Sequence, residues 1–467
     1  MDEWRPDIRG LTLGVVSCAI LGLMLGLTGC RHGPPDVIVV LADTLRADRV
    51  GPRAGGRPTL TPFLDRLAAT GVSFSNAYST SSWTNPSVAS LFTSRYPSQH
   101  HVTLYDSRLA ADEVTVAERL AAAGWWNVGV LANFRLTNEN GFGRGFAFWG
   151  PRVGGLRGKV RAKRVASDAL GLYDELFAPV RHTRWTRRTR PALFYLHFME
   201  PHAPYDPPAH IRRRIAGPVP PGVSDEEANA KLVDVTRWST LSDAEVARLD
   251  ALYDAEIAAL DRELERLFAA LRARGLLEHT VVIVTADHGE EFRDHGGLLH
   301  GTALFEESVR IPLIMTGPGL PAGRVVGERV SLVDVAPTLL DLLGLPAEPR
   351  FEGRSLRDLT SAEERDVVLQ LFPIAPGPEV RRHVAGLVSG QRKLLVPPPP
   401  RDPTVFDLQA DPGEHHPDPQ ALAGEADRLR ARLDERERVL AARAGAAETA
   451  PLDAATRERL RALGYAH

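Results

Sequence analysis

Residues 36–43, DVIVVLAD, form an apolar run rich in valine and isoleucine that ends in an aspartate, and residues 280–288, TVVIVTADH, repeat the design with Asp287 and His288. A run of this kind reads as a buried strand of a parallel sheet, delivering its terminal aspartate to the carboxyl end of the strand. Working outward, strand-like runs alternate with amphipathic ones: a helix near 61–70, a helix opening at Thr84, a helix at 113–123, strands at 126–131 and 192–198, and a helix at 244–274. The alternation predicts an α/β fold with a mostly parallel central sheet sandwiched by helices. About 435 residues follow Cys30, more than one simple core usually accommodates, so a small C-terminal α+β subdomain is expected beside the main one.

Asp43, Asp287 and His288 at the ends of two such strands are a mixed oxygen and nitrogen donor set, suited to a divalent cation. Between the strands lies STSSWTNPSVASLFTSRYP, residues 79–97, in which Thr84 opens a helix. Free backbone N–H groups at that point favour an anionic oxygen. A threonine hydroxyl is a poor nucleophile near neutral pH, so reading Thr84 as the attacking group requires a nearby cation and residues to hold it.

The string Thr84-Asn85-Pro86-Ser87-Val88-Ala89-Ser90-Leu91-Phe92-Thr93-Ser94-Arg95 resembles the signature of the sulfatase family within the alkaline-phosphatase superfamily. In that signature a cysteine or serine followed by x-Pro-Ser-Arg is oxidised to formylglycine. Threonine has no route to the aldehyde, and Val88 replaces the arginine. The resemblance implies an alkaline-phosphatase-like fold and a metal-dependent ester hydrolase or transferase that attacks with a plain hydroxyl. It extends to LHFMEPHAPYDPP, residues 196–208, which is similar to the family's His-x-Pro element, and to His300 in GLLHGTALFEESVRIPLI. By this resemblance Thr84, His202 and His300 are catalytic, Asp43, Asp287, His288 and Thr84 hold the metal, and Asn85 and His197 contact substrate. Arg46 and Asp48 either orient the carboxylates or form a surface ion pair, and Arg95 anchors the helix.

The departures narrow the chemistry. Arylsulfatases place an Asp-Asp pair after the first strand where this chain has Asp43-Thr44, and one carboxylate fewer favours manganese or zinc over calcium. His202 and His300 either hold a second ion or hydrogen-bond substrate oxygens. The family's Gly-Lys-Trp-His segment is replaced by Leu131-Ala132-Asn133-Phe134, so the lysine and histidine that hold a sulfate are missing. The expectation is a phosphate-ester hydrolase or phosphoalcohol transferase working through a covalent Thr84 intermediate. A sulfuric ester hydrolase without formylglycine is the alternative, and a binding protein with a vestigial site is a third reading.

The ends carry other information. Residues 1–30 read as a lipoprotein signal peptide: an apolar run from Leu11 to Leu27 leads into Leu27-Thr28-Gly29-Cys30, with the form of a lipobox. The weakly basic leader leaves an uncleaved anchor as the alternative. Either way the catalytic part is expected in a bacterial envelope, tethered outside the cytoplasmic membrane through lipidated Cys30. The only cysteines are Cys18 and Cys30, which excludes a disulfide framework and a thiol nucleophile. A net charge of -3 gives no footprint for nucleic acid. Residues 151–190, basic and carrying Trp185, read either as a solvated segment or as a contact for anionic lipid, and 204–245 as an excursion at the rim of the site. The catalytic domain is expected over 36–350. SLVDVAPTLLDLLGLP (331–346) and FEGRSL (351–356) resemble the closing helix and loop of that domain in sulfatases. Residues 351–467 form the C-terminal subdomain, with strands within 366–398, a turn at VFDLQADPGEHHPD, and a helix over 420–465 interrupted flexibly at 441–451.

Overall fold

The computed structural model describes residues 33–53, 56–151, 159–177, 190–357, 365–372, 383–417 and 422–449. The expected signal segment, Trp185 and part of the basic stretch lie outside these residues. The main sheet is built from β1 (Asp36–Ala42), β2 (Val72–Tyr78), β3 (Trp126–Leu131), β4 (Phe148–Gly150), β5 (Ala192–Phe198), β6 (Thr280–Ala286), β7 (Arg310–Thr316) and β8 (Arg324–Ser331). They stand in the order β8-β2-β7-β6-β1-β5-β3-β4. Pairing is parallel except around β7, which runs against both β2 and β6. The mixed α/β architecture read from the sequence is the observed one. Strands β2, β4 and β8 are not evident in the sequence because they lie toward the sheet's edges and mix polar with apolar residues, as in VSFSNAY and RVVGERVS.

The centre of the sheet is apolar throughout. β1 is flanked on both sides by parallel strands and is buried from Val37 onward, which is why its sequence is a continuous β-branched run rather than an alternating one. Helices cover the faces: α1 (Pro62–Ala69), α2 (Thr84–Thr93), α3 (Val116–Ala122), α4 (Ala162–Phe177), α5 (Asp243–Ala273) and α6 (Val335–Leu342). α5 opens with a reciprocal cap between Ser242 and Glu245. Its Asp261 accepts the backbone N–H groups of Phe63 and Leu64, 2.9 Å from each, fixing the start of α1. The excursion over 204–245 contains two short helices, Ala209–Ile215 and Asp225–Leu232. Arg248 of α5 holds the second of them through Asp225.

A four-stranded antiparallel sheet, β9 (Val367–Leu371), β10 (Val384–Ser389), β11 (Arg392–Val396) and β12 (Thr404–Asp407), forms the C-terminal unit with α7 (Leu422–Ala442). Its strands alternate with period two. Val368, Ala385 and Leu394 pack on Leu429 and Leu433 of α7. Val367, Leu369 and Leu395 face the main body, where they meet Tyr78, Trp83 and Leu304. Within the segment expected as a flexible interruption at 441–451, Glu448 and Thr449 pair with Arg108 and Ser107, and the helix expected to continue to 465 lies outside the described residues from 450 onward. The pairing is a non-local one that local composition does not reveal.

The joint between the two units is polar as well as apolar. Lys393 is fully buried, with Nζ 3.0 Å from both Glu306 and Glu414. His295 stacks on Phe305, directs Nδ1 to Glu307 at 2.8 Å, and directs Nε2 to the Glu414 carbonyl at 3.0 Å. Both nitrogens meet acceptors, so the ring carries both protons. Burial alone would lower its pKa, but the Glu307 carboxylate and the other acceptors raise it to about 9. A pKa raised on folding contributes stability that is complete below about pH 6.5 and lost as pH rises through about 9, worth about 1 kcal/mol once solvent screening is allowed for. Urea unfolding of the wild type is therefore expected to weaken between pH 6.5 and 9.5 more steeply than that of His295→Gln; parallel profiles would show the ring to be neutral.

Candidate active site

Sheet register assembles the site. Ala42 of β1 lies opposite Ala286 of β6, so the next residues, Asp43 and Asp287, leave the sheet side by side. On the other flank Leu41, His197 and Leu131 form one row across β1, β5 and β3. Side chains recur on one face every second residue, so Asp43 and Asn133 project on that same face just beyond the row. His197 Nε2 approaches Asp43 Oδ2 at 3.1 Å, and Asn133 Nδ2 donates to the same oxygen at 2.8 Å. Tyr195 OH lies 3.0 Å from His197 Nδ1. Both nitrogens of His197 are thus engaged beneath Asp43. The geometry makes His197 a support for that carboxylate in place of the expected substrate contact.

Asp287 uses Oδ1 for the backbone N–H groups of Thr44 and His288, at 3.2 and 3.0 Å. One oxygen of each carboxylate remains, Asp43 Oδ1 and Asp287 Oδ2, and neither has a hydrogen-bond partner although both aspartates are completely buried. His288 Nε2 lies 3.8 Å from the first and 3.4 Å from the second. Its Nδ1 donates to the Gly289 carbonyl at 2.9 Å, which leaves the Nε2 lone pair facing the carboxylates. A Cβ at Gly289 would fall 1.9 Å from the Glu307 carbonyl, so only glycine allows this turn to press so closely on its neighbour.

Burial favours a neutral Asp43, but the hydrogen bond from His197 and the surrounding histidines hold its carboxylate well below the usual range. Asp287 moves the other way, up to about 6, through burial and the Asp43 charge. Two buried carboxylate oxygens without donors, beside an imidazole lone pair, are what a divalent cation satisfies. Among the described residues Asp43, Asp287 and His288 are the one such group, with ligand atoms within 4.8 Å of one another. Among those residues no second group of three donors gathers at His202 and His300.

Thr84 sits at the first position of α2, after Trp83 in extended conformation, with Oγ1 3.4 Å from His288 Nε2. The preceding loop is fastened by its backbone: Gly301 N–H donates to Ser82 at 2.9 Å and Gln370 N–H to Thr80 at 2.8 Å. Ser87 Oγ lies 2.8 Å from the Trp83 carbonyl and accepts from Ser79 Oγ at 2.9 Å. Asn85 is buried, and its Oδ1 has no hydrogen-bond partner.

The rings of His202 and His300 lie 5.0 Å apart, and those of His288 and His300 4.5 Å apart. His202 Nδ1 donates to the Ala203 carbonyl, 2.5 Å away, and His300 Nδ1 faces Glu290 Oε1 at 2.7 Å. Burial lowers the pKa of His202 to about 4, and burial with the neighbouring His288 lowers that of His300 well below the usual value. Glu290 also accepts from Tyr205 OH at 2.9 Å, and burial raises it to about 7.

All eight sequence-derived site residues therefore come to one place. Sequence reasoning misses Asn133, Glu290, Tyr195 and Tyr205 as members of it, although Glu290 stands in the Asp-His-Gly-Glu-Glu string that includes His288. Arg46 is a buried support: it joins Asp48 at 2.8 Å and Asp294 at 3.1 Å, and donates to the Glu290 carbonyl at 3.1 Å. Arg95 Nη1 meets Glu113 at 2.6 Å beyond the end of α2.

A family model described as Sulfatase matches residues 35–345. The chain belongs to the sulfatase family. A second model, N-sulphoglucosamine sulphohydrolase, C-terminal, matches residues 295–438. An extracellular sulfatase SULF-1 homolog from Drosophila melanogaster is 26% identical over 72% of this chain and 32% of that protein. A sulfatase from Formosa agariphila is 25% identical over 69% of this chain and 72% of that protein. The chain spans about a third or less of the length of the first curated relatives it matches. Among solved structures, one in complex with its substrate D-glucosamine-2-N,6-O-disulfate has a TM-score of 0.72 at 19% identity, covering 87% of this chain and 98% of that one. The phosphonate monoester hydrolase from Silicibacter pomeroyi has a TM-score of 0.68 at 21% identity, covering 89% and 99%. This sulfatase-family chain carries Thr84 where the family signature has cysteine or serine.

If the orphaned carboxylate oxygens are metal ligands, manganese or zinc raises the thermal midpoint by about 5 °C or more at saturating concentration. Asp287→Asn removes the like-charge repulsion, so its metal-free form is expected to melt no lower than the wild type while its response to metal disappears. An equal shift in both proteins would move the cation elsewhere.

Proposed function

We propose that the chain is a metal-dependent hydrolase of sulfuric esters in which Thr84 is the attacking group. The observation that carries this is the convergence of Thr84 Oγ1, His288 Nε2 and the two partnerless carboxylate oxygens at the head of α2. Family membership and the sulfatases among the relatives favour sulfate over the phosphate esters that the threonine alone suggests.

Asp43, Asp287, His288 and Thr84 would hold the cation, with manganese or zinc the better match to a nitrogen donor and only two carboxylates. When bound, it supplies positive charge and Lewis acidity to the oxygens of the nucleophile and the transferred group. His197 and Asn133 keep Asp43 ionised and aimed. The amide groups at the start of α2 face the developing negative charge, and Asn85 stands beside them for a substrate oxygen. Thr84 Oγ bonds to sulfur as the bond from sulfur to the alcohol oxygen breaks. The hydroxyl proton passes to Nε2 of His202 or His300, both held neutral, and returns to the departing alkoxide. Water then attacks the Thr84 ester at sulfur, releasing sulfate and restoring the hydroxyl.

A second reading, hydrolysis of phosphate or phosphonate esters, has one observation in its favour. Threonine cannot supply the aldehyde that releases sulfate from formylglycine, and its ester must be opened at the central atom, a route equally open to phosphorus. Full-length protein assayed with the sulfate monoester, phosphodiester and phosphomonoester of one chromogenic alcohol separates the readings. Sulfate turnover that falls on the order of 10³-fold or more in Thr84→Ala supports the proposal. Dominant phosphoester turnover with the same loss would replace the substrate and keep the nucleophile, and activity retained in Thr84→Ala would remove the nucleophile.

The proposal also places the enzyme at a bacterial envelope, lipid-anchored through Cys30, on the strength of the Leu27-Thr28-Gly29-Cys30 string. Cys30→Ser expressed in a bacterial host should lose metabolic labelling by a fatty acid analogue. Labelling that persists in the variant would exclude Cys30 as the attachment point.

A further inference from the structure

A second charged cluster lies behind the loop that carries His202. Lys159 stands just ahead of α4 with its side chain 8% exposed, and its Nζ donates to Glu256 Oε1 of α5 at 3.0 Å. Glu256 is completely buried. The same Glu256 oxygen accepts the Asp206 backbone N–H at 2.8 Å, and the Lys159 ammonium also donates to the Pro204 carbonyl at 3.3 Å. One ion pair is therefore bonded to the main chain at two points, on either side of Tyr205 and a few residues beyond His202.

The loop leaves β5 after Phe198 and is fastened from the same direction at both ends. Buried Glu200 accepts the N–H of Ala162, the first residue of α4, through Oε1 at 2.7 Å, and Arg161 meets the Asp206 carboxylate at 2.5 Å. Between these fastenings the His202 N–H donates to the Met199 carbonyl at 2.7 Å, and the ring stands 5.0 Å from that of His300. No helix or strand carries residues 199–208, so the place of the His202 ring is set by the groups that reach in from 159–162 and from α5. Ion pairs as buried as this one add little stability over apolar groups of the same shape. What Lys159 and Glu256 do supply is direction, since each is bonded to the loop's backbone as well as to the other.

We infer that Lys159 is a positioning residue for the hydrolytic reaction, holding His202 at the site through the Pro204 carbonyl and, by way of Glu256, through the Asp206 amide. A reacting group displaced by about 1 Å can cost on the order of 10²-fold in rate, and a loss of that kind falls on kcat with little change in KM. The inference rests on the reading that His202 takes part in proton transfer from Thr84, and the experiment separates the failure of one from the failure of the other.

Full-length wild type, Lys159→Met and the neutral pair Lys159→Met/Glu256→Gln are compared on 4-nitrophenyl sulfate, or on the matching phosphoester if that is the one the wild type turns over, with rates expressed per folded molecule. Lys159→Met is expected to lower kcat about tenfold or more while KM stays within about threefold. In a His202→Ala background the same substitution is expected to cost less than about threefold, because the side chain it positions is gone. A kcat within about twofold of wild type, or a loss that multiplies in full with that of His202→Ala, overturns the inference. If Lys159→Met does not fold, the neutral pair leaves no buried charge unpaired and still lacks the ammonium that bonds the Pro204 carbonyl. The same loss of kcat is then expected of the pair, and a wild-type kcat overturns the inference equally. If the wild type turns over no ester, the hydrolase reading fails, yet amide hydrogen exchange still tests Lys159, and it also decides where His202→Ala is too slow to measure. Exchange at His202, Ala203, Tyr205 and Asp206 that quickens about tenfold or more in Lys159→Met or in the neutral pair, with β1 and β6 unchanged, supports the positioning role. Unchanged exchange, or an equal increase throughout the chain, overturns it.

Discussion

Two carboxylates buried side by side in a protein interior are the constraint on which the rest of this structure depends. With ligand atoms within 4.8 Å of one another, two full negative charges would repel by about 3–4 kcal/mol at an effective dielectric constant near 20. The chain does not separate them. It places them at the ends of adjacent parallel strands whose register leaves no other exit, and then treats them unequally. Asp43 receives His197 and Asn133 and stays charged, whereas Asp287 receives only backbone N–H groups at Oδ1 and is driven toward the neutral form. One oxygen of each is left bare and aimed at the same imidazole. A divalent cation held at these oxygens would convert the repulsion into coordination.

The same constraint explains why the C-terminal unit is joined so firmly to the main body. Thr84 must be held against the carboxylates by a helix start that has no side-chain cap of its own. The loop before it borrows support from elsewhere: a backbone hydrogen bond from Gln370 of β9, and an apolar seat for Trp83 on Val367, Leu369 and Leu395. The antiparallel sheet is therefore a wall behind Thr84 as much as an appended unit. Buried Lys393 and the doubly protonated His295 fix its angle, since ion pairs of this burial are strongly destabilised when one member is removed.

Much of this is legible in the sequence because the signals are local. A β-branched run ending in aspartate announces a central strand, and the Thr-Asn-Pro-Ser string announces a helix start, so the side chains that meet at the candidate site can be named from the residues alone. Asn133 is visible only as a departure from a family segment. Its role depends on register between strands distant in sequence, which side-chain pattern alone does not encode. His197 reads as facing substrate because it stands near His202, but strand alternation turns it under Asp43. Glu290 and Tyr205 are brought together by a loop excursion whose path no periodicity predicts. The pairing of Glu448 with Arg108 is hidden for the same reason: two residues of unremarkable composition meet across the length of the chain.

The charges that converge here also bear on the transferred group that the proposed hydrolase would accept. His202 and His300 are held neutral, so at neutral pH they add no positive charge. Asp43 is held ionised and Asp287 is raised toward the neutral form, so a divalent cation held by the two would leave a centre with little net charge. Such a site matches a transferred group carrying a single negative charge, which is the state of a sulfate monoester, a phosphonate monoester and a phosphodiester alike. A phosphate monoester, with a second negative charge, would remain undercompensated in a water-poor environment where that deficit is felt strongly. On the proposed reading, substrate preference would follow the charge of the transferred group more closely than the identity of its central atom, and the plain hydroxyl of Thr84 is compatible with either element.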